Sequence, residues 1–326
     1  MNNKNLILIP LLSSFLVLLI LVPVFYNVQV AGRSMLLLQR FWNYGGDLEI
    51  FMLSVYSFLL TKLMLKDQNK ARNIAWSIFS ICFFGQFLAG LIFCDQCLMT
   101  GKLHFPIPAL ILGGPIYRSQ IGFMTILFIS TLLISGSAWC SQLCYFGAIE
   151  NYFTNRKKTK HNKNSIKIRF TLFIFFIVIV LILRIFKVSN FYASILAIIF
   201  VIGAFFVIFI YSRKKGKMFH CTYYCPIGFI VSLYSKIYPI KVKINDSCDL
   251  CGKCVFVCKY TSISLDKNSK NMQITFGCTN CGDCINVCHV QAISYSFYKK
   301  QKPNLRNFWI VLTVVLHTTF LAFARI

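Results

Sequence analysis

Long apolar runs, separated by short polar and basic segments, account for most of the chain. Seven runs with few charges reach or approach the length that a helix needs to cross a bilayer; they cover residues 6–26, 50–65, 74–93, 121–139, 170–186, 191–211 and 308–323. The first has no clear cleavage site after it and is interpreted as a retained span. The stretch 105–117 is apolar but short and rich in proline and glycine, so we expect it to be re-entrant or interfacial.

Composition supports an integral membrane protein. Hydrophobic residues make up 57% of the chain, charged residues only 13%, and the mean hydropathy is +0.67. A net charge of +25 is also typical of proteins that bind nucleic acid, but basic residues in a membrane protein usually mark the loops that stay in the cytoplasm. The lipid bilayer, and not nucleic acid, is therefore the expected partner of these charges.

The distribution of lysine and arginine predicts the orientation. The loops around Lys62–Arg72 and 156–167 and the segment after residue 241 fall on one side and hold most of the basic residues. By the positive-inside rule this side is cytoplasmic, which places the N-terminus inside and the C-terminus outside. The segment 241–300 then lies in the cytoplasm, between the last two spans. This is a reducing compartment, where thiols remain available for metal.

Two cysteine runs occupy that segment. Each has the spacing C-x2-C-x2-C-x3-C, and the second repeats the first after 30 residues: Cys248, Cys251, Cys254 and Cys258, then Cys278, Cys281, Cys284 and Cys288. In two-cluster ferredoxins the first three cysteines of a run bind one cluster and the fourth binds the other. We therefore predict one [4Fe–4S] cluster on Cys248, Cys251, Cys254 and Cys288, and a second on Cys278, Cys281, Cys284 and Cys258.

Zinc and disulfides explain these cysteines less well. Structural zinc sites usually combine C-x2-C pairs with a longer spacer, and disulfides need an oxidising compartment. Alternating apolar residues in 261–275 predict a hairpin between the runs, with a short helix after each run. The predicted fold is mostly α: a polytopic transmembrane helical protein with a small cytoplasmic α+β two-cluster ferredoxin domain. We divide it into a transmembrane region 1–120, a region 121–240, the ferredoxin-like domain 241–300 and a terminal helix 301–326.

A second pattern, C-x3-C followed by glycine, occurs twice in the region 121–240. It comprises Cys140, Cys144 and Gly147, and then Cys221, Cys225 and Gly228, each after an apolar segment. The two cysteines of a pair would face one way on a helical end. Three roles stay open for the four thiols: a further metal centre, a dithiol relay, or packing as small apolar groups. Cys94-x2-Cys97 is either a redox-active or structural pair or two unremarkable thiols.

Three histidines stand near candidate sites. His317 lies within the last apolar run, where it needs a polar partner; it could bind haem or a quinone, but a contact with a neighbouring helix is the expected role. His220 and His289 adjoin cysteines, so they either adjust a cluster through hydrogen bonds or are solvated.

In combination, the apolar spans, the two C-x3-C segments and the two cysteine runs resemble the membrane polyferredoxins. That family includes the NapH type of periplasmic nitrate reductase systems and the membrane half of NosR. The likeness covers about residues 121–298, and Tyr145 stands where the family usually has proline. The resemblance implies a protein of the bacterial cytoplasmic membrane that carries electrons between the quinone pool and a partner redox protein, with quinone as a further ligand.

The remaining sequence favours a carrier over a stand-alone enzyme. It has no paired carboxylates, nucleotide loop or nucleophile arrangement. Lysines around the cysteine runs would raise the cluster potential and attract an acidic partner; they are Lys253, Lys259, Lys267 and Lys270. A different class remains an alternative, since related membrane iron–sulfur proteins supply electrons for the assembly or maturation of metal centres in another enzyme. A thiol relay through the C-x3-C cysteines would support that alternative.

Overall fold

The computed structural model describes residues 5–30, 32–97, 107–154, 165–265, 271–298, 300–302 and 304–323. The chain is 70% helical, which confirms the mostly α prediction. Among these residues, seven helices are long and apolar enough to cross a membrane: Leu6–Asn27, Gly45–Lys66, Gln68–Ile92, Phe123–Leu143, Ile166–Ile185, Asn190–Lys215 and Leu305–Phe323. They coincide with the seven apolar runs, and the short second run lies in a helix of 22 residues.

The exposed surface of these helices is apolar. In the helices Ile166–Ile185 and Asn190–Lys215, only 11% of the apolar window is buried. Large side chains such as Phe175 and Ile202 are 62% exposed. Soluble proteins rarely expose continuous apolar surfaces of this kind, and a bilayer covers them without penalty. The two helices support a membrane protein.

The chain divides into two compact units, residues 1–106 with 303–326 and residues 107–302. In the first unit the helix Leu305–Phe323 packs against Asn5–Asn27 and Gly45–Lys66, and 78% of its apolar window is buried. His317 is 2% exposed, and its Nε2 lies 3.0 Å from the hydroxyl of Tyr56. This confirms that His317 contacts a neighbouring helix.

The remaining elements of the first unit are short. They are the strands Gln29–Val30 and Arg33–Ser34, which form a hairpin, and the 3₁₀ turns Leu38–Arg40 and Asp95–Cys97. The helix bounds of this unit are Asn5–Asn27, Gly45–Lys66, Gln68–Ile92 and Leu305–Phe323.

The second unit contains the remaining helices. They are Leu110–Arg118, Phe123–Ser135, Tyr145–Phe153, Ser165–Ile185, Asn190–Phe206, Arg213–Lys215, Pro226–Tyr234, Lys253–Val257 and Asp283–Asn286, with a 3₁₀ turn at Gly136–Ala138 and π-helical turns at Trp139–Leu143, Val207–Ser212 and His220–Tyr224. The first of these covers part of the stretch 105–117 and is nine residues long, too short to cross a bilayer.

Two small sheets build the ferredoxin-type segment, residues 241–300. Ile240–Ile244 pairs antiparallel with Ile293–Phe297, and Val242 faces Tyr295; Lys300–Gln301 continues this sheet. Ile263–Leu265 pairs antiparallel with Met272–Ile274, which confirms the predicted hairpin; its tip, 266–270, lies outside the described residues. The small α+β arrangement is therefore present.

The predicted helix after each cysteine run was misplaced. The helices Lys253–Val257 and Asp283–Asn286 lie within the runs, between the second and fourth cysteines. Each begins after a glycine with positive φ, Gly252 at 72° and Gly282 at 83°, a conformation that glycine adopts without strain. After the fourth cysteine the chain turns into a strand.

Candidate metal centres

The backbone repeats through the two cysteine runs. Three pairs of residues, each separated by 30 positions, have left-handed conformations: Leu250 and Asn280 (φ 61° and 50°), Gly252 and Gly282 (72° and 83°), and Thr261 and Gln291 (52° and 53°). Four of the six are not glycine, and such residues seldom adopt this conformation. The sequence repeat is therefore a repeat of loop geometry as well.

The fourth cysteine of each run receives the same hydrogen bond. The Ser262 N–H donates to Cys258 Sγ and the Ala292 N–H donates to Cys288 Sγ, both at 3.3 Å. Donors aimed at sulfur favour the thiolate, which is the form that binds metal. Two equivalent loops thus present their fourth cysteine in the same way.

Cysteines from both runs meet at one pocket. It is lined by Cys258 of the first run and by Cys278, Cys281 and Cys284 of the second, the four residues predicted to bind one cluster; we refer to them as the second site. Asn280 fixes the loop between them, since its side chain donates to the Ile240 carbonyl at 2.9 Å and accepts from the Val242 N–H at 3.2 Å. Burial raises the pKa of Cys278 to about 12, so a metal has to displace thiol protons there.

The other predicted set, Cys248, Cys251, Cys254 and Cys288, is the first site. Cys254 is buried and Cys251 is exposed, and burial raises the pKa of Cys254 to about 11. His289 Nε2 lies 3.0 Å from an Asp249 carboxylate oxygen. Both side chains are within 4.8 Å of Cys251 Sγ, so the end of the second run lies beside the first run. The donor chemistry of both sets fits [4Fe–4S] clusters, and ligation by these eight cysteines remains a prediction.

The ferredoxin-type segment is hydrogen-bonded to the ends of candidate membrane helices. Ser141, at the end of the fourth candidate span, donates to the Thr279 carbonyl at 3.0 Å. The Met218 N–H donates to the Lys259 carbonyl at 2.9 Å, and Lys259 Nζ donates to the backbone carbonyl and side-chain oxygen of Asn151, both at 2.9 Å. Lys259, predicted to attract a partner, thus points inward. Lys267 and Lys270 lie outside the described residues.

The Lys217 amine makes three hydrogen bonds to the ferredoxin-type segment. Its side chain is 2% exposed, and Nζ donates to the carbonyls of Val255, Phe256 and Cys258 at 3.2, 3.2 and 2.8 Å. These carbonyls end the short helix of the first cysteine run, where helices lack backbone partners and attract positive charge. Lys217 thereby places a cation next to the second site.

The two C-x3-C elements have the same local structure. In the first, the π-helical turn Trp139–Leu143 leads into Cys144, which is extended (φ −81°, ψ 109°) and precedes the helix Tyr145–Phe153. In the second, His220–Tyr224 leads into Cys225 (φ −74°, ψ 120°) and the helix Pro226–Tyr234. Tyr145 therefore takes the helical position of Pro226 without changing the turn. π-Helical turns are rare and are frequently found at functional sites.

Glu150 joins the two elements. It lies in the helix after Cys144 and is 0% exposed. Its carboxylate accepts from the His220 N–H at 2.7 Å, from the Cys221 N–H at 2.9 Å and from the Ser212 hydroxyl at 2.6 Å. Burial raises the pKa of this carboxyl, and the same hydrogen bonds act in the opposite direction. One side chain thus holds the start of the second element against the first.

Sequence reasoning missed Glu150, Arg169 and Lys217. Arg169 is 4% exposed, its guanidinium lies 5.3 Å from the Phe276 ring, and it donates to Ser232 Oγ at 3.2 Å. Arg169 directly precedes the apolar run 170–186, where a charge is expensive unless it is partnered, and this was a usable signal. Lys217 and Glu150 lie six and eleven residues after the apolar runs that precede them, and no local signal marked them. Cys94 and Cys97 lie in the first compact unit, in contact with each other.

The sequence model of a family described as a 4Fe-4S binding domain matches residues 119–161 and 195–245. The matched residues include Cys140, Cys144, Cys221 and Cys225 and end before Cys248. No curated protein and no solved structure matches the chain significantly. The match supports an iron–sulfur protein, and the apolar helices support a membrane protein.

Proposed function

We propose that this chain is a membrane-bound electron-transfer protein that passes electrons between the quinone pool and a partner redox protein, in the manner of the NapH-type polyferredoxins. We place it in the bacterial cytoplasmic membrane with the ferredoxin-type segment in the cytoplasm. One observation carries the proposal: two loops with ferredoxin cysteine spacing are held in a single small fold, and that fold is hydrogen-bonded to the ends of candidate membrane helices.

Clusters bound at the two sites would supply one-electron redox chemistry. The protein contributes position and charge. Lys217 and Arg169 bring buried positive charge to the second site, since Lys217 contacts the Cys258 carbonyl and Arg169 packs against Phe276 and Gly277, beside Cys278. Positive charge favours the reduced, more negative state and raises the reduction potential.

The surroundings of the two sites differ and suggest a different redox partner for each. The second site adjoins Ser141 and the candidate membrane helices. The first site has Cys251 at the surface, flanked by Leu250, which is 46% exposed, and by the exposed Lys253. We assign the second site to exchange with the membrane donor or acceptor, and the first to a soluble partner.

A cavity of about 470 Å³ lies beside the second site and is a candidate binding site for the membrane donor or acceptor. It is lined by Ser137 at the end of the fourth candidate span, by Lys236 and Phe276, and by Cys278 of the second site. Its size suits a quinone ring, because small-molecule sites are usually about 300–1,000 Å³ with a few polar groups among apolar ones. We propose that a quinone headgroup binds there.

Reduction by quinol tests the function. The full chain is purified anaerobically in detergent, oxidised, and mixed with a soluble menaquinol analogue while EPR spectra are recorded. Cluster signals that appear with quinol support the carrier. Signals that appear with dithionite but not with quinol would contradict exchange with the quinone pool. In that case, an immature partner enzyme in cells that lack the chain would favour the maturation factor.

A further inference from the structure

The four cysteines of the C-x3-C elements form a second thiol cluster outside the ferredoxin-type segment. Cys140 and Cys144 are buried, and Cys221 and Cys225 are partly exposed. The Cys221 thiol interacts electrostatically with the other three. Glu150, three residues beyond Gly147, binds the backbone of Cys221 directly. The two elements therefore bring four thiols together, although they are far apart in the chain.

A backbone donor is aimed at Cys144. The Gly147 N–H, in the first turn of its helix, donates to Cys144 Sγ at 3.4 Å. Cys225 has the equivalent position before its own helix and caps it without a side-chain hydrogen bond. Donors at a helix N-terminus stabilise a thiolate, and hydrogen bonds to sulfur are typical of cluster ligands.

Close approach at Gly228 also keeps the second element compact. A Cβ at this position would lie 2.4 Å from the Cys221 carbonyl oxygen, a distance that a larger residue could not tolerate. Glycine here lets the helix after Cys225 pack directly against the turn that carries Cys221. This accounts for the glycine of the C-x3-C pattern.

The charge and polarity around the thiols also suit a bound anionic centre. Arg169 interacts electrostatically with Cys140, and a buried cation offsets the negative charge that four thiolates bring. His220 is 3% exposed, and its Nδ1 has no hydrogen-bond partner among the residues that the structure describes. Buried ring nitrogens usually have one, so His220 Nδ1 is available to a group bound in this neighbourhood.

We propose that Cys140, Cys144, Cys221 and Cys225 bind a third [4Fe–4S] cluster, held between the two C-x3-C elements. The family match describes the two segments as 4Fe-4S binding, and the structure identifies the four thiols within them. The third site lies next to the second, because Ser141 contacts Thr279 and Tyr260 approaches the Cys140 carbonyl at 3.5 Å.

Metal content tests the proposal without any electron donor, so its failure is distinct from a failure of quinol reduction. The full chain is purified anaerobically and reconstituted with ⁵⁷Fe and sulfide. Wild type is expected to bind about twelve iron ions, four for each of three clusters. The double variant Cys144→Ser, Cys225→Ser is expected to bind about eight, while Cys82→Ser, an exposed thiol in the other compact unit, is expected to match wild type.

Three results would overturn the proposal. They are about eight iron ions in wild type and double variant alike, a loss of zinc in place of iron, or a Mössbauer spectrum in which the lost iron is mononuclear. Misfolding of the double variant is detected by its ferredoxin-type EPR signals, which have to persist. If they do not, the single variant Cys221→Ser is measured by the same criteria.

Glu150 is proposed as a positioning residue for the third site. In wild type both carboxylate oxygens of Glu150 accept hydrogen bonds. In Glu150→Gln one of these oxygens is replaced by an NH₂ group, which cannot accept, so one hydrogen bond to the second element is lost. Changes of this kind lower metal affinity about 10- to 100-fold. We expect one third of the iron to be released to a chelator about tenfold faster, with the other two thirds unchanged. Uniform acceleration of all iron, or none, would refute this role.

Discussion

The contact between Lys217 and three carbonyls leads to a quantitative prediction. Lys217→Met keeps most of the apolar stem but removes the amine that bonds to Val255, Phe256 and Cys258. Each buried carbonyl left without a donor costs about 1–3 kcal/mol. Because two of the three bonds are long, at 3.2 Å, we take about 1 kcal/mol each. The total is about 3 kcal/mol, which corresponds to an approximately 100-fold larger population of the undocked ferredoxin-type segment.

Hydrogen exchange measures that population. In wild-type and variant protein with their clusters intact, amides of the paired strands Ile240–Ile244 and Ile293–Phe297 are compared with amides of the helix Ser165–Ile185. We expect exchange in the strands to accelerate about 100-fold and exchange in the helix to stay the same. The reduction potential of the second site should also fall, because a cation beside Cys258 is lost.

A matched control is Lys241→Met. Lys241 lies in the strand pair whose exchange is measured, and among the described residues its amine donates to one carbonyl, that of Lys236, at a solvent-exposed contact. Its strand exchange should stay within a few-fold of wild type, since exposed hydrogen bonds contribute little. Equal exchange in wild type and Lys217→Met would refute the argument that this amine fastens the segment to the helix ends.

Three further predictions concern other parts of the molecule. Gln273 lines the cavity beside Cys278, so Gln273→Trp should slow reduction by quinol about tenfold, equivalent to about 1.4 kcal/mol, and leave reduction by dithionite unchanged. The control is Ser264→Trp, on the paired strand and outside the cavity lining. Equal rates of quinol reduction in both variants would contradict the assignment of the cavity. His317→Leu should destabilise the protein by about 1–3 kcal/mol in thermal unfolding because the Tyr56 hydroxyl loses its partner. Adding Tyr56→Phe in the same chain should recover part of that loss. If the losses of stability from the two single variants simply add in the double variant, the two side chains do not interact. Phe175→Lys, at the middle of an exposed apolar helix, should lower the thermal stability of the protein in liposomes, because lysine at the centre of a spanning helix costs about 2.5–3.5 kcal/mol. Unchanged stability would argue against a lipid-facing span there.

Most of the architecture could be predicted because its signals are local. The seven apolar runs appear directly as long helices, and the polar middle of 261–275 marks the hairpin between the cysteine runs. The helices were predicted after each cysteine run and were misplaced, because glycine at positive φ, at Gly252 and Gly282, lets each helix begin just before the third cysteine of its run.

Other features depend on contacts between distant residues, and no local pattern carries them. Glu150 meets His220 and Cys221 across about 70 residues of chain, and Lys217 meets the first cysteine run about 40 residues later. Periodicity cannot reveal such pairs. Arg169 adjoins an apolar run, which indicated that it has a partner but not which one; Glu150 and Lys217 lacked even that signal.

The duplicated C-x3-C element has a further consequence for the direction of electron flow. A centre shared equally between two copies of one structural element, in equal surroundings, would have no preferred exit for an electron. In this chain the copies have different neighbours: Cys140 and Ser141 adjoin Tyr260 and Thr279 of the ferredoxin-type segment, whereas Cys221 adjoins the buried carboxylate of Glu150. If the proposed third cluster is bound there, the first element connects it to the ferredoxin-type segment and the second element places it beside a buried carboxyl, so two similar backbones give the centre unequal surroundings.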